Sequence, residues 1–160
     1  MFVIKERKYP LINSKYQVEG FNELLNNTFD GGLQLFLGKK NRHIFIDLNK
    51  DTFECYSISV LLDAFKFSIT NFKFKHTKDI SLYYKRIMNK EKDILYCENF
   101  ELKSFIDYSN KLILFGDITT CKECYQFFRD TYCVLDNNKL KLLVIKVDDY
   151  ILKHIRNVIK

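Results

Sequence analysis

"TKDISLYYKRIMNK", residues 77–90, is the stretch on which the fold turns. Ile80, Tyr83, Tyr84, Ile87 and Met88 recur at i, i+3, i+4, i+7 and i+8, the spacing that gathers apolar side chains on one side of an α-helix. Thr77 is a fitting N-cap and Asp79 sits where the first turn favours an anion, while Lys78, Lys85 and Arg86 fall on the other side. The spacing predicts a helix over 77–90. Together with the strands around it, that implies a mixed architecture.

On either side the pattern alternates between the two periods. "FVIKE" (2–6) reads as a strand that stops before Pro10, and "FNELLNNTF" from Phe21 as a helix ending at the turn Asp30-Gly31-Gly32. "LQLFLG" (33–38) and "HIFIDL" (43–48) alternate across a polar break, as an antiparallel hairpin does, and "TFECY" extends that sheet. A helix is expected in "SISVLLDAFKF" from Ser57, a strand at "DILYC" (93–97), and a helix capped by Asn99 in "FELKSFIDYS". "KLILFG" (111–116) has the unbroken apolar run of a strand covered on both sides. Thr120 with Glu123 fits a capping box opening a helix through "CKECYQFFRD". "YCVLD", the turn "NNK" and "LKLLVIKV" (140–147) form a hairpin, and Asp148 caps a last helix with Ile151, Ile155, Val158 and Ile159 on one side. The expected fold is α+β: about five or six strands in a mixed or antiparallel sheet, packed with about five helices.

The chain has 160 residues, the size of one domain, with no repeat, low-complexity tract or linker at which to divide it. A single domain over 1–160 is therefore expected. Aromatics make up 16% of it against one proline and five glycines, which favours an ordered core over a disordered chain. No apolar run reaches the ~18 residues that a membrane span requires, and "MFVIKERKYP" turns charged after four residues, unlike a secretory signal. The expected setting is cytoplasmic, without membrane association. Five cysteines, an odd number set mostly in apolar segments, suit free thiols in a reducing compartment.

Charge is unevenly placed. The net +6 comes from residues 66–92, where Lys66, Lys73, Lys75, Lys78, Lys85, Arg86, Lys90 and Lys92 face only Asp79 and Glu91; elsewhere 18 basic and 18 acidic residues cancel. Within it, "FKFSITNFKFKHTK" interleaves rings with lysines. Lysines neutralise phosphates and exposed rings stack on bases, so Phe72, Phe74, Lys73, Lys75, Lys78, Lys85 and Arg86 are candidate partner contacts. The same alternation also suits a half-buried strand with its phenylalanines inward. No helix-turn-helix, RNP-like or zinc-finger pattern accompanies it.

"CKEC" places Cys121 and Cys124 at the start of the expected helix, where unpaired N–H groups stabilise a thiolate; Cys121 would attack and Cys124 resolve. The strand, loop, CxxC and helix order resembles the start of a thioredoxin-like unit. That resemblance implies a redox dithiol, but only 36 residues follow Cys124, and Pro10, the sole proline, is no counterpart of the family's proline opposite the dithiol. A zinc site would need a fourth ligand close by, and Cys133, His43, His76 and His154 are scattered. No metal or cofactor is expected. The carboxylates at Asp47, Asp51, Glu98, Glu101, Asp148 and Asp149 lie on turns and caps, and no nucleophile-elbow or phosphate loop is present.

By elimination the expected function is non-enzymatic protein binding. Rich in Lys, Asn, Ile, Phe and Tyr, as an AT-rich gene would encode, the chain is similar in gross character to the bacterial immunity proteins that neutralise a toxin. Its positive segment would suit an acidic partner surface, whereas filling a basic cleft would require a separate acidic face from residues such as Asp47, Asp51 and Glu54. Nucleic-acid binding through 66–92 and CxxC redox chemistry are the alternatives.

Overall fold

In a computed structural model, residues 1–7, 9–10, 15–19, 23–26, 32–38, 43–73, 75–85, 94–97, 99–119 and 123–158 are described. Strands dominate: β1 (Phe2–Glu6), β2 (Gln17–Glu19), β3 (Glu23–Leu25), β4 (Leu33–Leu37), β5 (Ile44–Leu48), β6 (Cys55–Leu61), β7 (Ser68–Ile69), β8 (Lys75–Tyr84), β9 (Ile94–Cys97), β10 (Ser104–Asp107), β11 (Leu112–Gly116), β12 (Glu123–Phe128), β13 (Thr131–Asp136) and β14 (Lys139–Lys146). A 3-10 turn spans Leu62–Ala64, and the one α-helix among the described residues is α1 (Asp149–Val158). The strands form an eight-stranded sheet, β1-β8-β12-β13-β14-β11-β10-β7, and a six-stranded sheet, β2-β3-β6-β5-β4-β9. Pairing is antiparallel except at β8/β12, β7/β10 and β4/β9.

This overturns the α+β expectation. The deciding stretch is not a helix: Lys75–Tyr84 is a ten-residue strand, antiparallel to β1 on one side and parallel to β12 on the other. Ile80 and Leu82, two apart, enter the core, as alternation requires and a helix forbids. Residues 86–90 lie outside the described residues. The helix expected from Phe21 is strand at Glu23–Leu25, that from Ser57 is strand to Leu61, that from Asn99 contains β10, and that after Thr120 is β12. In each, apolar residues at i, i+3 and i+4 also fit a period of two once some are allowed on either face of a sheet. Backbone pairing with distant strands then chooses.

Elsewhere the local signals held. The β4/β5 hairpin, the start of β6 at Cys55 and Tyr56 extending it, β9, β11 and the β13/β14 hairpin fall where expected. Asn137 and Asn138, between the paired Asp136 and Lys139, take φ of 50° and 62°, the left-handed pair that a two-residue hairpin needs and asparagine tolerates. Gly116 has φ +118°, and a Cβ there would meet the Lys141 carbonyl oxygen at 2.2 Å, so only glycine lets β11 and β14 approach. Asp148 caps α1, its Oδ1 accepting the Ile151 N–H at 2.9 Å, and Ile151 and Ile155 are buried. The side chains of Val158 and Ile159 lie outside the described residues.

One core joins the sheets. Leu35, Ile46 and Ile58 of the six-stranded sheet pack in one cluster with Phe127, Leu143 and Ile145 of the other, and α1 adds Ile151, Leu152 and Ile155. A bridge between Glu54 and Tyr83, and the Tyr84 N–H donating to the Phe53 carbonyl at 3.0 Å, stitch the sheets at backbone level. A second cluster lies on the eight-stranded sheet's other face: Leu112, Leu114, Tyr132, Val134, Leu142 and Val144, with Phe72 and Cys124. Phe72 belongs to the segment running from β7 to β8, the eighth and second strands of the sheet. Flat, six strand spacings would separate them by about 29 Å. The segment from Ile69 to Lys75 reaches at most ~22 Å. The sheet must therefore curl, with the strap drawn across the inside of the curl and Phe72 pressed into it.

Candidate interaction faces

The strap is fastened by one carboxylate. Asp107, at the end of β10 and 1% exposed, accepts the Phe72 N–H at 2.8 Å, the Asn110 N–H at 3.0 Å and the Asn110 amide at 2.7 Å. The Thr70 N–H donates to the Ile106 carbonyl, and the Asn110 amide also reaches the Phe72 carbonyl. Burial pushes the Asp107 carboxyl up, but the Phe72, Asn110 and Ser109 hydrogen bonds to the charged form outweigh it and hold the group below the usual carboxylate range. The segment's path is thus fixed by its own backbone.

That path divides the sequence-predicted contacts. Phe72 is 5% exposed, in the second cluster, and cannot stack on a base. Lys73, Lys75, Lys78 and Lys85 are exposed, as is Lys66 before β7. Three of them follow one another along the strap's end and the first half of β8. Phe74 and Arg86 lie outside the described residues. Tyr83 is half-buried beneath the Lys5 ammonium, 4.4 Å from its ring centre. The segment presents charge, with Phe72 inward, Phe67 and Tyr84 packed in part against the shared core, and Tyr83 at the surface under Lys5.

The cysteines take a different place from the expected one. Cys124 is fully buried in a strand, next to β8, so the segment meant to supply a helix dipole supplies none. Cys121 lies outside the described residues. Burial raises the thiols of Cys55 and Cys133, which disfavours thiolate at both. Among the described residues, no three His, Cys, Asp or Glu side chains come together as metal ligands would.

A second face was missed in the sequence. On the six-stranded sheet, Leu33, Leu35, Ile44, Ile46, Ile58 and Val60 face the shared core, so Phe36, Phe45, Asp47, Ser57, Ser59 and Glu23 share the far side. Phe36 packs on Phe45 at 5.3 Å between ring centres and is stacked on Tyr96 at 5.7 Å, across three neighbouring strands. Ser57 donates to Asp47 Oδ2 at 2.5 Å, and Ser59 to Glu23 Oε1. Burial pushes the Asp47 carboxyl up, the Ser57 bond offsets part of this, and the Glu23 carboxylate adds to the rise. Asp47, named as a possible part of a separate acidic face, is on it. Glu54 lies instead at the junction with Tyr83, and Asp51 in the turn after β5. The signal available was alternation in β4 and β5, which puts Phe36, Phe45 and Asp47 on one side once the sheet is known.

Beside Tyr96 a cleft of about 240 Å³ opens between the sheets, lined by Phe2, Tyr84, Tyr96, Cys97, Asn99 and Leu140 among others. Among the described residues no helix is long and apolar enough to cross a membrane. No family model and no curated protein matches the chain.

Proposed function

We propose that this chain is a non-enzymatic, cytoplasmic protein-binding domain that neutralises a partner, of the immunity or antitoxin kind, by covering an acidic part of its surface. The observation carrying this reading is the lysine row Lys73, Lys75 and Lys78, exposed on a strap and strand whose path Asp107 and Phe72 fix. Charge held on a fixed backbone steers encounter and sets register. Nucleic-acid binding through the same row is the weaker reading, because single-stranded sites add ring stacking to charge and Phe72 is committed to the interior.

The test is affinity capture with the full chain, followed by binding measurements on the protein recovered. Lys75→Glu with Lys78→Glu is expected to weaken a stoichiometric complex at least tenfold and to flatten its salt dependence. Tight binding to a 20-nucleotide single strand, lost in the same variant, with no protein captured, would turn the reading to nucleic acid. A disulfide-reductase activity lost in Cys124→Ser would turn it to redox chemistry.

A further inference from the structure

The far face of the six-stranded sheet holds two half-buried carboxylates, Glu23 and Asp47, each tied to a serine of β6 and neither ion-paired with any described residue. Ser57 and Ser59 are two positions apart, about 7 Å along the strand, so the two anions crowd one small area. Glu19, exposed on β2, stands opposite Glu23 in the register. The described strand positions on this face carry these three carboxylates and no lysine or arginine, although the chain as a whole is +6. Alongside runs the ring row Phe45, Phe36 and Tyr96, of which Phe36 is buried like Ser57 and Ser59, Phe45 is half-buried, and Tyr96, 37% exposed, borders the cleft between the sheets.

We propose that this face is a second docking surface, built for a cationic segment of a partner protein that sets an arginine between Glu23 and Asp47 and lays its neighbouring apolar side chain on the Phe45–Tyr96 rings. Charge complementarity selects this occupant. The carboxylates are desolvated in part and fixed by their serines, so a guanidinium would relieve their mutual repulsion without first ordering them. Its planar fork can donate to two carboxylates while its face meets a ring, which an ammonium cannot do as well. The proposal is independent of the lysine row, which lies on the other sheet and has the opposite sign.

The test uses the ¹⁵N-labelled full chain, titrated with the peptide acetyl-Arg-Leu-Arg-Leu-Arg-amide, with the glutamate analogue of that peptide and with magnesium chloride. Saturable shifts are expected at Glu23, Phe45, Asp47, Ser57 and Ser59 with the arginine peptide alone. Glu23→Gln with Asp47→Asn should weaken binding at least fivefold, Tyr96→Ala about threefold, and Lys75→Glu with Lys78→Glu by less than twofold. Equal binding of the arginine peptide to the carboxamide variant would overturn the proposal, as would shifts scattered over other faces or the same shifts with magnesium. Should the double variant fail to fold, an affinity unchanged by Tyr96→Ala would overturn it by itself.

Discussion

Asp107 and Asp47 are the same side chain in two settings, one on each sheet, and they are displaced in opposite directions. Asp107 is the more deeply buried, yet it is held below the usual range because N–H groups from Phe72, Ser109 and Asn110 converge on its charged form. Asp47 is only half-buried, receives one serine hydroxyl and has Glu23 beside it, and it is raised. At Asp107 the hydrogen bonds to the charged form together outweigh desolvation; at Asp47 the Ser57 hydroxyl, its one donor among the described residues, does not. A carboxylate fully supplied with donors is a structural fastening, whereas one supplied with a single donor and a like-charged neighbour keeps capacity for something outside the chain.

The strap side should therefore be costly to disturb and the other face cheap. Phe72→Ala, emptying the inside of the curled sheet, is expected to lower stability by about 3–5 kcal/mol in urea unfolding. Asp107→Ala leaves the Phe72 and Asn110 N–H groups without their acceptor and should cost about 3 kcal/mol, with faster amide exchange at residues 70–73.

The two carboxyls must also pull stability in opposite directions with pH. Because the folded Asp107 value lies below the unfolded one, ordinarily ~3.9, its contribution is complete above that value and disappears as pH falls through the folded value. The folded Asp47 value lies above the unfolded one, so protonation favours the fold, and its contribution grows as pH falls from neutrality through the folded value. Asp47→Asn should therefore be neutral or stabilising by less than about 1 kcal/mol at pH 7 and should remove that gain. Urea midpoints from pH 7 to pH 3 for Asp107→Asn and Asp47→Asn would show whether the curves diverge. Smallest of all, Lys75→Glu with Lys78→Glu should change stability by less than about 0.5 kcal/mol while weakening the partner complex.

The sequence allowed some of this to be read and hid the rest for a physical reason. Where an element is closed by its own turn, the local pattern was sufficient: the Asn137-Asn138 hairpin, the alternation of β4 and β5, the Asp148 cap, the doubly covered β11. Where a strand is held by partners far along the chain, it was not. Residues 77–84 satisfy helical spacing at Ile80, Tyr83 and Tyr84 and strand spacing at Ile80 and Leu82. The choice falls to β1, some 78 residues earlier, and to β12, some 47 residues later. Cys124 and the strand around it were misread likewise, and with them the dithiol's setting. The lysines were found because charge is written in composition. The ring row and the Glu23–Asp47 pair were not, because strands 23–25, 33–37, 44–48, 55–61 and 94–97 assemble that face only after folding.

Solvent accessibility of the rings tests the contrast between the two faces most directly. With a soluble paramagnetic agent added to the native protein, the Tyr96 and Phe45 ring resonances should broaden strongly, while the Phe72 ring stays as sharp as that of Phe127 in the shared core. Broadening of Phe72 equal to that of Tyr96 would mean that the strap is not closed over the curled sheet, and that the lysine row has no fixed path beneath it.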